Sequence, residues 1–220
     1  MTRILVLAPH PDDETLGCGG TILRHVAAGD EVHWLIATGM TEPGFTAQRI
    51  ATRQAEIDSV MTLYGFSALH RLGIQTTQVD RLPISDIVAR IGEIFREVEP
   101  DTLYLPYHGD AHSDHRILSD AAMSAAKWFR LPCIRTVYAY ETLSETNFAH
   151  DAVFAPNVYV DITGHIEGKL NAMSIYESEL APHPFPRSIE AIRALAVLRG
   201  SEAGFAAAEA FMLLKDRKPA

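Results

Sequence analysis

Arg3-Ile-Leu-Val-Leu-Ala-Pro-His-Pro-Asp-Asp-Glu14 is an apolar run broken by an imidazole and three carboxylates, and from Leu16 to Ala28 apolar residues recur at helical spacing. A continuous apolar stretch marks a strand covered on both faces, so Ile4 to Ala8 predicts a buried parallel strand. The helix that follows should stop at Gly29-Asp30. In open α/β sheets ligands bind beyond the carboxyl ends of the strands, which is where His10, Asp12 and Asp13 would then lie. The arrangement recurs later in the chain. Thr102-Leu-Tyr-Leu-Pro106, a second strand candidate, is followed by His108-Gly-Asp110-Ala-His112-Ser-Asp114-His115. Two such clusters after two strands can converge on one ion.

Working outward, Glu31 to Thr38 predicts another strand, Phe45 to Tyr64 a helix closed by Gly65, and Ala68 to Leu72 a short strand. Ile84 to Val98 reads as a helix stopped by Pro100, Ile117 to Phe129 as a helix, and Thr136 to Tyr140 as a strand. This alternation predicts an α/β fold with a mostly parallel sheet and helices on both faces. Beyond about residue 145 the rhythm loosens. There the sequence predicts an extended Asn157 to Asp161, a helix from Ile166 to Leu180, and a loop holding Pro182, Pro184 and Pro186. Helices at Ser188 to Arg199 and Ala206 to Leu214 should follow, with a frayed tail after Lys215. No linker or repeat divides the chain, so one domain is expected over 1–220, with 1–142 as the core carrying the site and 143–220 covering the sheet and shaping a pocket.

The formal net charge of -9 argues against nonspecific nucleic-acid binding, which runs on excess Lys and Arg. Cys18 and Cys133 are the only cysteines, too few for a disulfide framework, and no stretch reaches the roughly 20 apolar residues of a membrane span. Ile4 to Ala8 is too short for the apolar core of a signal peptide, so a cytoplasmic protein is expected. Gly17-Cys18-Gly19-Gly20 lacks the spacing of a dinucleotide fingerprint. Its glycines read instead as sites of close backbone approach, with Cys18 as a small buried filler.

Hydrolytic Zn²⁺ sites take three N or O ligands and keep a position open, and His10, Asp13 and His115 supply that set. Asp12, between two ligands, can face a bound water, while Asp114 with His112 forms a carboxylate–imidazole pair for proton donation or oxyanion binding. The same residues also suit plainer work: Asp12 and Asp13 as caps of the first helix, the second cluster as the cap of a helix starting near Arg116. The same ligands serve Fe²⁺ or another divalent ion as well as Zn²⁺. Tyr176, His183, Phe185, Arg187 and Arg199 are candidates for substrate contact, and Arg53, Arg187 or Arg199 could hold one phosphate.

At this point the chain resembles the PIG-L or LmbE-like de-N-acetylases over nearly its whole length. Pro9-His-Pro-Asp-Asp-Glu14 matches the first motif, and His112-Ser-Asp-His115 the second, with Ser113 where Pro is usual. Arg53-Gln-Ala-Glu56 is similar to the family's Arg-x-x-Glu, Asp110 to the Asp before the second motif, and Lys169 to Glu179 and Gly204 to Phe211 to its C-terminal blocks. The resemblance implies a Rossmann-like fold and a zinc-dependent hydrolase that removes acetyl from an N-acetylglucosamine-type sugar or its conjugate. It implies zinc on His10, Asp13 and His115, Asp12 as general base, His112 as acid or oxyanion partner, and Asp114 as its orienting carboxylate. Substrate contacts would come from Arg53 and Asp110. For Arg53 the alternative is an exposed i,i+3 pair with Glu56. The implied partner is a small acetamido sugar or glycoconjugate, without nucleic acid or a membrane span; assembly into a homo-oligomer stays open. The competing functions are an amidase for another small N-acyl amine, a metal-retaining binding protein, and a nucleotide-dependent oxidoreductase.

Overall fold

The computed structural model describes residues 1–150 and 153–218. Strands β1 (Arg3–Ala8), β2 (Glu31–Gly39), β3 (Ala68–Gln75), β4 (Thr102–Pro106) and β5 (Thr136–Tyr140) pair in parallel. With β6 (Val158–Asp161) and β7 (Ala208–Asp216) they form one sheet in the order β3-β2-β1-β4-β5-β7-β6, β7 running antiparallel to both its neighbours. The helices are α1 (Asp13–Ala27), α2 (Ala47–Tyr64), α3 (Ile84–Val98), α4 (Ser113–Ala125), α5 (Ile166–Ile175) and α6 (Ile189–Ala203). Among the described residues, no helix is long and apolar enough to cross a membrane.

The apolar run in β1 is continuous because both faces are covered. Ile4, Val6 and Ala8 join Trp34, Ile57 and Leu170 in the core under α1, α2 and α5, while Leu5 and Leu7 join Ile91, Phe95 and Leu118 under α3 and α4. Strand order reverses at β1: β2 and β3 extend the sheet on one side and β4 on the other. That reversal leaves a crevice at the carboxyl ends of β1 and β4, the two strands that precede the polar motifs. Ile4 lies opposite Thr102 and Val6 opposite Tyr104, so segments about a hundred residues apart in sequence leave the sheet one strand spacing apart, about 5 Å.

Several expectations are corrected. Ala206 to Leu214 is not helical: its Ala and Leu content favours a helix only weakly, and pairing on both sides between β5 and β6 overrides that preference. The same strand carries Asp216, and the Arg217 N–H bonds the Arg135 carbonyl, so the chain is held past Lys215; residues 219 and 220 lie outside the described residues. Helix α4 starts at Ser113 rather than Ile117, because the His112 ring accepts the Asp114 N–H (3.1 Å) and caps it there. Its end at Ala125 leaves Trp128 and Phe129 exposed. Helix α5 stops at Ile175, and a 3₁₀ turn at Glu177–Glu179 carries Glu179 toward the β1 loop.

Candidate metal centre and active site

After β1 the chain is pinned before it turns. The Pro9 carbonyl accepts the Thr38 N–H (3.0 Å) and hydroxyl (2.8 Å). Asp12 then adopts φ 127°, a conformation L residues rarely take, and Glu14 holds it there. The buried Glu14 carboxylate accepts the Asp12 N–H (3.1 Å), the Thr15 hydroxyl (2.7 Å) and the Tyr176 hydroxyl (2.8 Å), and burial pushes its pKa up to about 7. At Gly17 a Cβ would sit 2.2 Å from the Tyr140 ring, so only glycine lets α1 come this close to the end of β5.

The turn brings His10, Asp13 and His115 together. One Asp13 oxygen lies 3.2 Å from His10 Nδ1 and 3.2 Å from His115 Nε2, and a ligand atom from each of the three falls within 4.8 Å of the others. Each imidazole is held from behind by a buried carboxylate: His115 Nδ1 by Asp110 at 2.8 Å, and His10 Nε2 by Asp114 at 3.2 Å. Such carboxylate–imidazole pairs fix tautomer and ring orientation in metal sites. His115 Nε2 is buried and makes no hydrogen bond. An orphaned ring nitrogen facing a carboxylate oxygen is what a cation ligand looks like, so the residues fit a divalent ion. His10, His112 and Asp114 form an overlapping group. In that group the Asp114 oxygen that faces His10 is already engaged by the Thr77 N–H at 2.9 Å.

Charge supports the same reading. Burial opposes protonation of His115, yet Asp13 and Asp110 outweigh it and carry its pKa up to about 10. Burial likewise opposes charge on His10, and Asp114 and Asp13 carry it up to about 9. A pocket that draws protons onto two buried imidazoles has an excess of negative charge for a cation to neutralise.

Asp12 and His112 line the same cleft, of about 400 Å³, beside the ligand set. Burial and the nearby Asp13 charge push Asp12 well above the usual carboxylate range, while Arg187, with Nη1 3.3 Å from an Asp12 oxygen, pulls it back. His112 is held below the ordinary histidine value by burial and by the charges on His10 and His115. Its Nδ1 accepts the Asp114 N–H, so the neutral ring carries its proton on Nε2.

The geometry reassigns several residues. The Asp114 carboxylate does not orient the His112 ring; it serves His10, and only its backbone touches His112. Asp110, expected at the substrate, does not line the cleft, because its oxygens are taken by His115 and the Thr146 hydroxyl. Asp110→Asn is therefore expected to weaken metal binding about 10- to 100-fold, the usual cost of losing such a partner, as read by metal titration of the stripped protein. Arg53 is buried rather than exposed. It donates to the Pro11 carbonyl (2.8 Å) and the Ser178 hydroxyl (2.9 Å), hydrogen-bonds Glu179, and lies 3.0 Å from Glu56, bracing the first motif from the wall of the cleft.

Of the loop candidates only Arg187 reaches the cleft, where its Nη2 also lies 3.2 Å from Glu179. Tyr176 is buried against Glu14, His183 is exposed away from the cleft, and Arg199 pairs with Glu141 and Glu202. The contact between Arg187 and Asp12 spans 175 residues and leaves no trace in local spacing. Glu14, adjoining Asp13 in the first motif, and Glu179, which pairs with Arg53 and Arg187, hold the site in roles that the motifs alone do not assign.

Residues 5–126, more than half of the chain, match the family model described as PIG-L, GlcNAc-PI de-N-acetylase. The diacetylchitobiose deacetylase of Thermococcus kodakarensis is 26% identical over 94% of this chain and 81% of its own length. The 1D-myo-inositol 2-acetamido-2-deoxy-alpha-D-glucopyranoside deacetylase of Mycobacteroides abscessus is 25% identical over 81% of each chain. In three dimensions GalB, the 4-carboxy-2-hydroxymuconate hydratase of Pseudomonas putida, superposes with a TM-score of 0.79 at 18% identity over 100% of this chain and 99% of its own. That likeness concerns the fold alone, and a hydratase on this fold shows that the fold does not fix the reaction.

Proposed function

The chain belongs to the PIG-L family, and from that premise we propose that it is a zinc-dependent hydrolase that removes the acetyl group from an N-acetylglucosamine-type sugar or its conjugate. The observation that carries this reading is the placement of Asp12 and His112 in one cleft with His10, Asp13 and His115. Two imidazoles and one carboxylate suit Zn²⁺, with Fe²⁺ as the other ion of matching preference. The sugar is supported by the two curated relatives, both named for substrates that contain 2-acetamido-2-deoxyglucose.

An amide is a poor electrophile and water a poor nucleophile at neutral pH; a divalent ion supplies Lewis acidity that polarises the carbonyl and acidifies water. Asp12 then acts as the base. Arg187 holds one of its oxygens, leaving the other to take the proton of the attacking water, and burial makes that carboxylate a stronger proton acceptor than one in solvent. His112 Nε2–H donates to the carbonyl oxygen as negative charge develops on it. The C–N bond breaks, acetate departs, and Asp12 returns the proton to the leaving amine.

Because Arg187 lowers the pKa of Asp12, its removal must raise it. Arg187→Gln should shift the acid limb of kcat/KM upward by about one pH unit while the plateau persists, which a pH–rate profile reads directly. The function itself is tested by acetate release from N-acetyl sugars, nucleotide sugars and glycoconjugates, using zinc-loaded protein with Asp12→Asn as control. Release from other N-acyl amines alone would make it an amidase, and tight binding without release a binding protein.

A further inference from the structure

Six cationic or imidazole side chains line the cleft, and five are accounted for. His10, His112 and His115 form the centre; Arg53 is neutralised by Glu56 and Glu179, and Arg187 by Asp12 and Glu179. The sixth, Arg71 on β3, enters no ion pair among the described residues. Its Nη2 donates to the Gln54 carbonyl oxygen (3.0 Å), which ties the guanidinium to α2, whose Ile50, Arg53 and Gln54 line the cleft beside it. Gln54 is itself fixed by donating to Asp58 (2.7 Å). An exposed guanidinium with unclaimed donors, held in place by a neutral amide, keeps its full charge for a ligand.

Its position says which part of a ligand it meets. β3 is the edge strand, two strands from β1, and the one side-chain bond of Arg71 goes to Gln54 rather than to any group at the centre, so it meets a part of the ligand other than the acetamide. Phe45 and Ile50 line the same cleft and offer apolar cover for a sugar ring. We infer that Arg71 is a specificity-determining residue that selects substrates whose aglycone carries an anionic oxygen group, a carboxylate or a phosphate. The inference deepens the deacetylase reading and rests on it. It also reconciles the chain's overall charge of -9 with an anionic substrate, because recognition needs one unneutralised cation beside the cleft rather than a basic surface.

The test uses three N-acetylglucosaminides identical except for the aglycone end group: carboxylate, phosphate or neutral carboxamide. Acetate release is measured with metal-loaded wild type and Arg71→Gln, and calorimetry measures binding of the same compounds to Asp12→Asn with and without Arg71→Gln. Arg71 is exposed and makes one side-chain hydrogen bond, so the substitution leaves folding intact. Wild type should favour an anionic conjugate over the carboxamide by about 10-fold in kcat/KM, with the difference in KM, and Arg71→Gln should bring the ratio near one. The ratio should also fall with added salt. Whichever anion is favoured identifies the source. Equal rates in wild type, or a preference that survives in Arg71→Gln, overturns the assignment. Arg71-dependent binding of the anionic conjugate without any acetate release would sink the deacetylase reading and leave the anion site standing.

Discussion

Asp12→Asn is expected to hold metal at the wild-type stoichiometry and to lose about 10²- to 10⁴-fold in turnover, the range for removing a positioned acid or base. The substitution keeps the shape of the side chain and the backbone N–H bond to Glu14 that supports the turn, while it removes the charge paired with Arg187 and the ability to take a proton. Asp12 sits beside the ligand set, yet its side chain faces Arg187 and is absent from both groups of candidate ligands. Elemental analysis after gel filtration, run beside a turnover assay, separates the roles. Metal lost in parallel with activity would make Asp12 a ligand, and full turnover would remove it from the mechanism.

His115→Ala should do the opposite and strip the metal. Its Nε2 is a buried nitrogen without a hydrogen bond, 3.2 Å from the Asp13 carboxylate, and an alanine puts no ligand atom in its place. The accompanying pH dependence has a definite sign. In the metal-free site His115 and His10 hold protons up to about 10 and about 9, so a cation must displace them, and affinity should climb as pH rises from 6 toward 9. Both pKa values lie above the unfolded value of 6.5, so the stability these protons lend the metal-free fold is complete below that value and fades as pH rises through 9 to 10. Thermal unfolding of metal-free protein should therefore weaken over that window while the loaded protein holds. Full metal retention by His115→Ala would remove it from the ligand set.

Much of the fold follows from patterns that occupy a short window of chain. Thr102 to Pro106 and Thr136 to Tyr140 are strands with the predicted limits, and Gly65, at φ 71°, ends α2 where the left-handed conformation favours glycine. The strand at Ala208–Asp216 escaped because its residues favour helix locally and only the gap between β5 and β6 makes them extended. The site divides in the same way. Residue types, their place after β1 and β4, and the grouping of His10, Asp13 and His115 were legible; the partners of Asp12, Asp110 and Asp114 were not.

The amino-acid order alone determined the alternation of strands and helices, and that two clusters of imidazole and carboxylate would stand at strand ends, because side-chain periodicity and chain punctuation act within a few residues. Only the tertiary structure decided that Asp114 backs His10 rather than His112, that Asp110 backs His115, that Arg187 reaches Asp12, and that Arg71 stays unneutralised. Hydrogen bonds and ion pairs depend on distance through space, and that distance is set by which strands lie side by side in the sheet.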